Sequence, residues 1–255
     1  MELTGIVAHR PYPLPDAPWI MQQTWVDLLF AHWRAPASEL RRRIPAELEL
    51  EEFDGSAWLG VAPFEVVGLH PRLLPPLPLA SRFPELNVRT YVRYGGKPGV
   101  FFFSLDAGST LAVKTARAFF RLPYFRASMH IRREGEWLRF RSRRVQRGGA
   151  AFTARYRPLG PGFEARPGTL EHFLIERYCL YTGLLGPRIF RVDIHHAPWP
   201  LQRAEAVIDE NGMAEASGLR LPDEPPILHF ARRQPTLVWA PELVARRDGA
   251  GDAAR

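Results

Sequence analysis

Residues 105–127, LDAGSTLAVKTARAFFRLPYFRA, constrain the fold more than any other stretch. They read as the end of a buried strand, a tight turn, a helix of about three turns, and a stop that returns the chain to another strand. Gly108 permits the turn, Ser109 or Thr110 can cap the helix, and Pro123 forbids its continuation. A Leu-Pro-Tyr-Phe corner after such a helix is a place where a pocket can be built, yet no nucleophile stands in it.

Strand patterns surround this unit. Residues 24–34 alternate, with Val26, Leu28, Phe30, His32 and Arg34 on one face and Trp25, Asp27, Leu29 and Trp33 on the other. Both faces are largely apolar, so the strand is expected to be central. Arg34 ends an apolar row: it either emerges at the strand end or is held there for a purpose. Residues 36–44 read as a short helix opened by Pro36 and stopped by Pro45, and residues 56–67 as the next strand. The loop 68–84 holds Pro71, Pro75, Pro76, Pro78 and Pro84 and reads as a semi-rigid surface flap, either a lid or padding.

Residues 85–94 alternate cleanly. Leu86, Val88, Thr90, Val92 and Tyr94 face one way; Glu85, Asn87, Arg89, Tyr91 and Arg93 face the other. Such a polar row is either the solvated face of a sheet or the lining of an internal cavity in a closed one. Gly95-Gly96 then turns the chain into the core strand 100–106. After the central helix, segments 126–133, 136–146 and 151–157 form a meander. Thr169 caps a helix reaching Arg177, and strands follow at 178–181, 187–197, 202–209 and 227–239. The expected organisation is an N-terminal arm (1–21), one domain (22–240) and a disordered tail (241–255).

Composition narrows the function classes. Apolar residues at 46% and aromatics at 12% suffice for a packed core. No run approaches the ~18 apolar residues of a membrane span, and the N-terminal segment has no apolar stretch typical of a secretory signal. No membrane association and a cytoplasmic location are therefore expected. Cys179 is alone, which excludes an internal disulfide and a cysteine-based zinc cage. The formal net charge is +7, and of 34 basic residues only Lys97 and Lys114 are lysines. The arginines are dispersed and no nucleic-acid motif accompanies them, so no nucleic-acid partner is expected. Arg139, Arg141 and Arg143 share a face that reads as an exposed sheet surface. His195 and His196 point to opposite faces of a strand, and the other histidines lack ligand spacing, so no metal is expected. Lys114 could have a lowered pKa if desolvated, but a helix lysine ordinarily points into water.

The segment HWRAPASELRRRIPAELELEEFDGSAWLGVAPFEV resembles the opening of acetoacetate decarboxylase-like proteins. Closer is the resemblance to a bacterial family of unknown function, the YqjF-like proteins. WRAP, IPAELELEEFDGSAWLGVAPF, FPELNVRTYVR, FFFSLDA, ARAFFRLPYFRA, FLIERYCLYT and IHHAPWPLQRAEA carry it, across roughly residues 22–239. The resemblance implies an α+β fold: an acetoacetate decarboxylase-like, curved antiparallel β-barrel with a few short helices packed outside and a small-molecule cavity inside.

In those decarboxylases a lysine after an aromatic-Pro pair forms an imine with the substrate. The two corresponding positions resemble Tyr124 and Phe125 here, while the decarboxylase's first-strand arginine resembles Arg34 and its acidic residue Glu85. The charged pair survives and the nucleophile does not, so Schiff-base decarboxylase activity is expected to be absent. Lys114 lies about 15 Å away along a helix and does not substitute. The resulting expectation is a binder of a small organic acid, without cofactor and with a possible homo-oligomeric state. Its ligand-binding residues are Arg34, Glu85, Asn87, Arg89, Tyr91 and Tyr124. The alternative is a lyase- or isomerase-type enzyme in which Glu85 serves as acid/base.

Overall fold

A strand that is apolar on both faces needs a core on each side, and the central wall of this protein has one. The computed structural model describes residues 2–76, 81–145, 149–183 and 186–247. Its strands are β1 (Met21–Ala35), β2 (Glu49–Leu50), β3 (Ala57–Pro71), β4 (Phe83–Tyr94), β5 (Lys97–Ala107), β6 (Tyr124–Glu134) and β7 (Trp137–Arg144). They continue with β8 (Ala151–Phe163), β9 (Cys179–Thr182), β10 (Arg188–His195), β11 (Leu201–Asn211), β12 (Ile227–Val238) and β13 (Glu242–Arg246). Three short helices accompany them: α1 (Ala37–Arg41), α2 (Thr110–Thr115) and α3 (Leu170–Ile175).

All the strands belong to one strongly curved sheet whose pairings return on themselves. The run β12–β1–β3–β4–β5 is antiparallel throughout. From β5 one path returns to β12 through β9 and β10, and another through β6, β7, β8 and β11. The shared run is thus a partition. One face carries Leu29, Trp33, Leu59, Val61, Leu86, Val88 and Phe101, packed against Phe140, Phe152 and Tyr156 of the meander. The other carries Leu28, Phe30, Phe64, Phe102 and Leu105, facing Val192 and Ile194. The sheet is not uniformly antiparallel, because β5 pairs in parallel with both β6 and β9. The helix between β5 and β6 supplies the crossover that a parallel pair requires. Close approach of β9 to β5 depends on Gly99, where a Cβ would lie 2.6 Å from Cys179 Sγ.

Several sequence expectations need correction. Strict alternation would place Trp25 with Leu29 and Trp33, but Trp25 packs on the Leu28–Phe30 side. Asp27 sits at φ 51°, in an irregularity of the β1–β3 pairing that resets the alternation. Arg133 and Arg232 hold its carboxylate at 2.7 and 3.0 Å, and Tyr156 donates to its carbonyl at 2.8 Å. The expected three-turn helix is an α-helical segment followed by a π-helical turn, Ala116–Phe120, which ends on Arg121 at φ 54°. Ser109 caps it, accepting a hydrogen bond from the Ala112 amide at 3.3 Å. The loop expected over 68–84 is shorter, since β3 continues to Pro71 by pairing with Met21 and Gln22. The choice between lid and padding falls partly on residues 77–80, outside the described residues. The tail expected to be loose from 241 begins with β13, which pairs with β10; residues 248–255 lie outside the described residues.

Candidate functional site

The space inside the β5–β9–β10–β12 side of the partition is not completely filled. A chamber of about 300 Å³ remains, walled by β1, β3, β4, β5, β10 and β12. Leu111, Ala112, Thr115, Ala116 and Phe120 of the central helical segment, and Ile175 of α3, close it. Most of the lining is apolar: Trp25, Phe64, Phe83, Phe102, Leu105, Leu122 and Trp199 contribute rings and branched chains. Pro71, Leu111 and Thr115 are exposed as well as lining, which sets the mouth beside α2. Ala107, three residues before α2, pairs with Glu85, so Glu85 sits at the mouth end.

The polar row of β4 faces inward. Glu85, Asn87 and Arg89 line the chamber, because alternate residues of a strand share a face. Tyr124, the first residue of β6, joins them across the β5–β6 pairing and donates its hydroxyl to Glu85 Oε2 at 2.8 Å. Burial pushes the Glu85 carboxyl up to about 8, opposed by the Tyr124 hydrogen bond and reinforced by nearby Asp106. At neutral pH Glu85 is therefore mostly a protonated acid, able to donate as well as accept. Burial, followed by the Glu85 charge, also raises the Tyr124 phenol well above its ordinary value.

Positive charge enters the chamber from Arg89 and Arg177. Arg177 is compensated, since its guanidinium pairs with Glu51 and donates to the Phe173 carbonyl at 2.7 Å. Arg89 lies over the Phe30 ring, 5.1 Å from its centroid, and among the described residues no carboxylate forms an ion pair with it. His196 also lines the wall. Its Nδ1 lies 2.8 Å from the Ala197 carbonyl and its Nε2 3.2 Å from the Arg177 carbonyl, so both ring nitrogens face backbone acceptors. Burial lowers its pKa to about 4.

Two expected site residues fall elsewhere. Arg34 is exposed at the end of β1, 5.0 Å over the Trp58 ring and 2.7 Å from Ser56 Oγ, so it does not reach the chamber. Emergence at a strand end was the correct alternative. Tyr91 is buried beyond Arg89 with its hydroxyl 2.7 Å from His32 Nε2; it supports the wall without lining it. Arg177, His196, Trp25 and Trp199 line the chamber although the sequence reading did not select them. The signal available was a charge and a histidine inside the apolar runs FLIERYCLYT and IHHAPWP. Lys114 is exposed on α2, and Lys97 sits 5.1 Å over the Tyr12 ring; neither lines the chamber. Arg141 and Arg143 are exposed, as a solvated sheet face requires. No metal-ligand cluster occurs among the described residues, and no described helix is long and apolar enough to cross a membrane.

Comparison with known proteins gives consistent results. Residues 22–235 match the profile of DUF2071, described as an uncharacterized conserved protein. The uncharacterized protein YqjF of Bacillus subtilis (strain 168) is 48% identical over 237 residues, covering 93% of this chain and 98% of that one. Among solved structures, acetoacetate decarboxylase from Legionella pneumophila superposes with a TM-score of 0.63 at 14% identity, over 96% of this chain and 95% of its own. The enduracididine biosynthesis enzyme MppR, complexed with the condensation product of pyruvate and imidazole 4-carboxaldehyde, gives 0.62 at 14% identity, over 89% and 90%. These two likenesses establish the acetoacetate decarboxylase-like fold.

Proposed function

The chain belongs to the DUF2071 family, and from the chamber it builds on an acetoacetate decarboxylase-like fold we propose that it binds a small organic acid. The observation that carries this reading is the convergence of an uncompensated Arg89, a hydrogen-bonded Glu85–Tyr124 pair and Asn87 inside an otherwise apolar, enclosed space. Few polar groups in an apolar cavity are what fix the orientation of a small ligand. A guanidinium supplies the charge and directional donors that a carboxylate needs. MppR, which shares the fold, is described with a pyruvate-derived compound bound; that supports an acid-sized occupant here.

The chemistry available is limited by the groups present. Imine catalysis requires an amine in the chamber, and Lys97 and Lys114 both lie outside its lining. Incubation with acetoacetate and borohydride is expected to leave both lysines unmodified by mass spectrometry; a reduced adduct on either would contradict the reading. Binding itself is tested by thermal denaturation with a panel of keto and hydroxy acids. A ligand at 100 times its Kd stabilises the native state by about 2.7 kcal/mol. The expected outcome is a concentration-dependent rise in Tm with at least one acid, absent in Arg89→Met.

The raised carboxyl of Glu85 favours a second reading, an enzyme in which Glu85 exchanges a proton with bound substrate. It predicts solvent-deuterium incorporation next to the carbonyl of a bound keto acid, lost in Glu85→Gln. A rate equal to that in buffer rejects this second reading and leaves the first intact.

A further inference from the structure

The opening of the chamber is bordered by exposed apolar side chains. Leu111, Thr115 and Phe119 follow one another at four-residue intervals along one side of the central helical segment. Leu111 and Thr115 both line the chamber and reach solvent. Leu111 is 56% exposed and Phe119 72%. Pro71 borders the same opening, lining and exposed, and there the Leu74 amide donates to the Pro71 carbonyl at 3.1 Å and turns the chain. Leu73, inside that turn, is 91% exposed and Leu74 60%. The Arg72 amide donates to the Ile20 carbonyl at 2.9 Å, and its guanidinium lies 5.2 Å over the Trp19 ring. The exposed Ile20 therefore extends the same rim. Single exposed apolar residues are ordinary, but a group of them around one opening marks an interaction surface.

Charge identifies what that surface fits. The sequence holds no aspartate or glutamate from residue 66 to 84 or from 107 to 133, the two stretches that carry most of the rim. Arg72, Lys114, Arg117 and Arg121 are exposed on them, and none of the four forms an ion pair among the described residues. A second copy related by two-fold symmetry would set these four cations against the same four. An acidic protein patch would answer the charges but leave the apolar ridge facing carboxylates. An anionic bilayer answers both, since basic side chains meet its headgroups while leucine and phenylalanine enter the acyl boundary.

We propose that the chamber mouth docks on an anionic lipid surface. Leu73, Leu74, Leu111 and Phe119 enter the headgroup–acyl boundary, and Arg72, Lys114, Arg117 and Arg121 lie among the headgroups. The expectation of no membrane association rested on the lack of a spanning segment, which does not bear on contact of this kind. Docked in this way, the chamber opens toward the acyl chains, and its largely apolar lining continues the rim. The inference goes beyond acid binding and does not depend on it.

The full-length chain is floated with extruded vesicles of phosphatidylcholine alone, or with about 30% phosphatidylglycerol added as the anionic lipid. Binding to the anionic vesicles is expected to exceed that to phosphatidylcholine at least tenfold, and to fall at least tenfold at about 1 M salt. Leu73→Ser combined with Phe119→Ser alters two side chains outside the core and is checked for folding by circular dichroism. It is expected to lose most of the anionic-vesicle binding. Lys114→Gln combined with Arg117→Gln is expected to lower that binding at least tenfold. Absence of binding to the anionic vesicles overturns the proposal. So does undiminished binding by either double variant, because the contact would then need no apolar rim or no basic rim. Light scattering that finds a dimer in the parent and a monomer in Leu73→Ser/Phe119→Ser would assign the rim to a second copy and also overturn it. The thermal-shift test of acid binding stands apart, so either reading can fail alone.

Discussion

Replacing Glu85 with glutamine is expected to remove a loss of stability that the parent chain undergoes as the pH rises from about 4.5 to about 8. The carboxyl has an ordinary value of 4.5 when unfolded and about 8 in the folded chain, where burial disfavours its charge. Between those values the folded state binds the extra proton, so unfolding becomes easier as pH increases. Complete titration corresponds to a loss on the order of 5 kcal/mol. Buried histidines act in the opposite sense: His32, His196 and His229 are lowered by burial, so their contribution is lost on acidification through the ordinary histidine range. The difference between variant and parent isolates Glu85. Urea denaturation at pH 5 and pH 8 should show Glu85→Gln gaining about 3 kcal/mol relative to the parent between the two. Glutamine keeps a carbonyl to accept the Tyr124 hydroxyl, so packing is not the variable. Parallel stability profiles would refute the assignment.

Arg144→Met is the second large effect. Asp106, on β5 next to the chamber wall, is fully buried and bonded twice by Arg144 of β7, at 2.6 and 3.0 Å. The guanidinium in turn lies 3.8 Å from the Phe125 ring centroid. This pair fastens the meander to the parallel β5–β6 junction that carries Tyr124. Burial raises Asp106 even with Arg144 in place; without the arginine its charge has no compensation. The expected cost is about 3–5 kcal/mol, the range for breaking a buried ion pair by removing one partner. Because an unpaired acid can neutralise itself, adding Asp106→Asn to Arg144→Met should recover part of the loss. A double variant no more stable than the single one would show that packing of the arginine stem, not the stranded charge, sets the cost.

Much of the fold was legible because strand periodicity, turn glycines and proline stops are local signals. Gly95 and Gly96, both at positive φ, make the turn between β4 and β5, and the double-sided apolar pattern of residues 24–34 correctly implied a central strand. Local signals do not report where a strand shifts phase. Asp27 resets β1 through partners over a hundred residues away, Arg133 and Arg232, so the side taken by Trp25 could not be read from its neighbours. The parallel pairing of β5 with β9 is equally remote, resting on Gly99 meeting Cys179.

The site divides along the same line. The row Glu85–Asn87–Arg89 lies on one strand and was visible as alternation, which left solvent or cavity open, while Glu85 and Tyr124 entered the site through the resemblance. Arg34 was carried over in the same way, and its own strand end takes it to solvent. Trp199 and Arg177 come from segments whose approach to the chamber depends on strand closure through β9 and β10. Nothing in their immediate sequence encodes that.

The enclosed polar row is tested most directly at its first residue. A carbon-13 NMR titration of the side-chain carboxyls, with Glu85 assigned by its absence in Glu85→Gln, should give a midpoint near 8 for Glu85. A midpoint near 4.5, that of a carboxylate in free contact with water, would contradict the chamber and the function built on it.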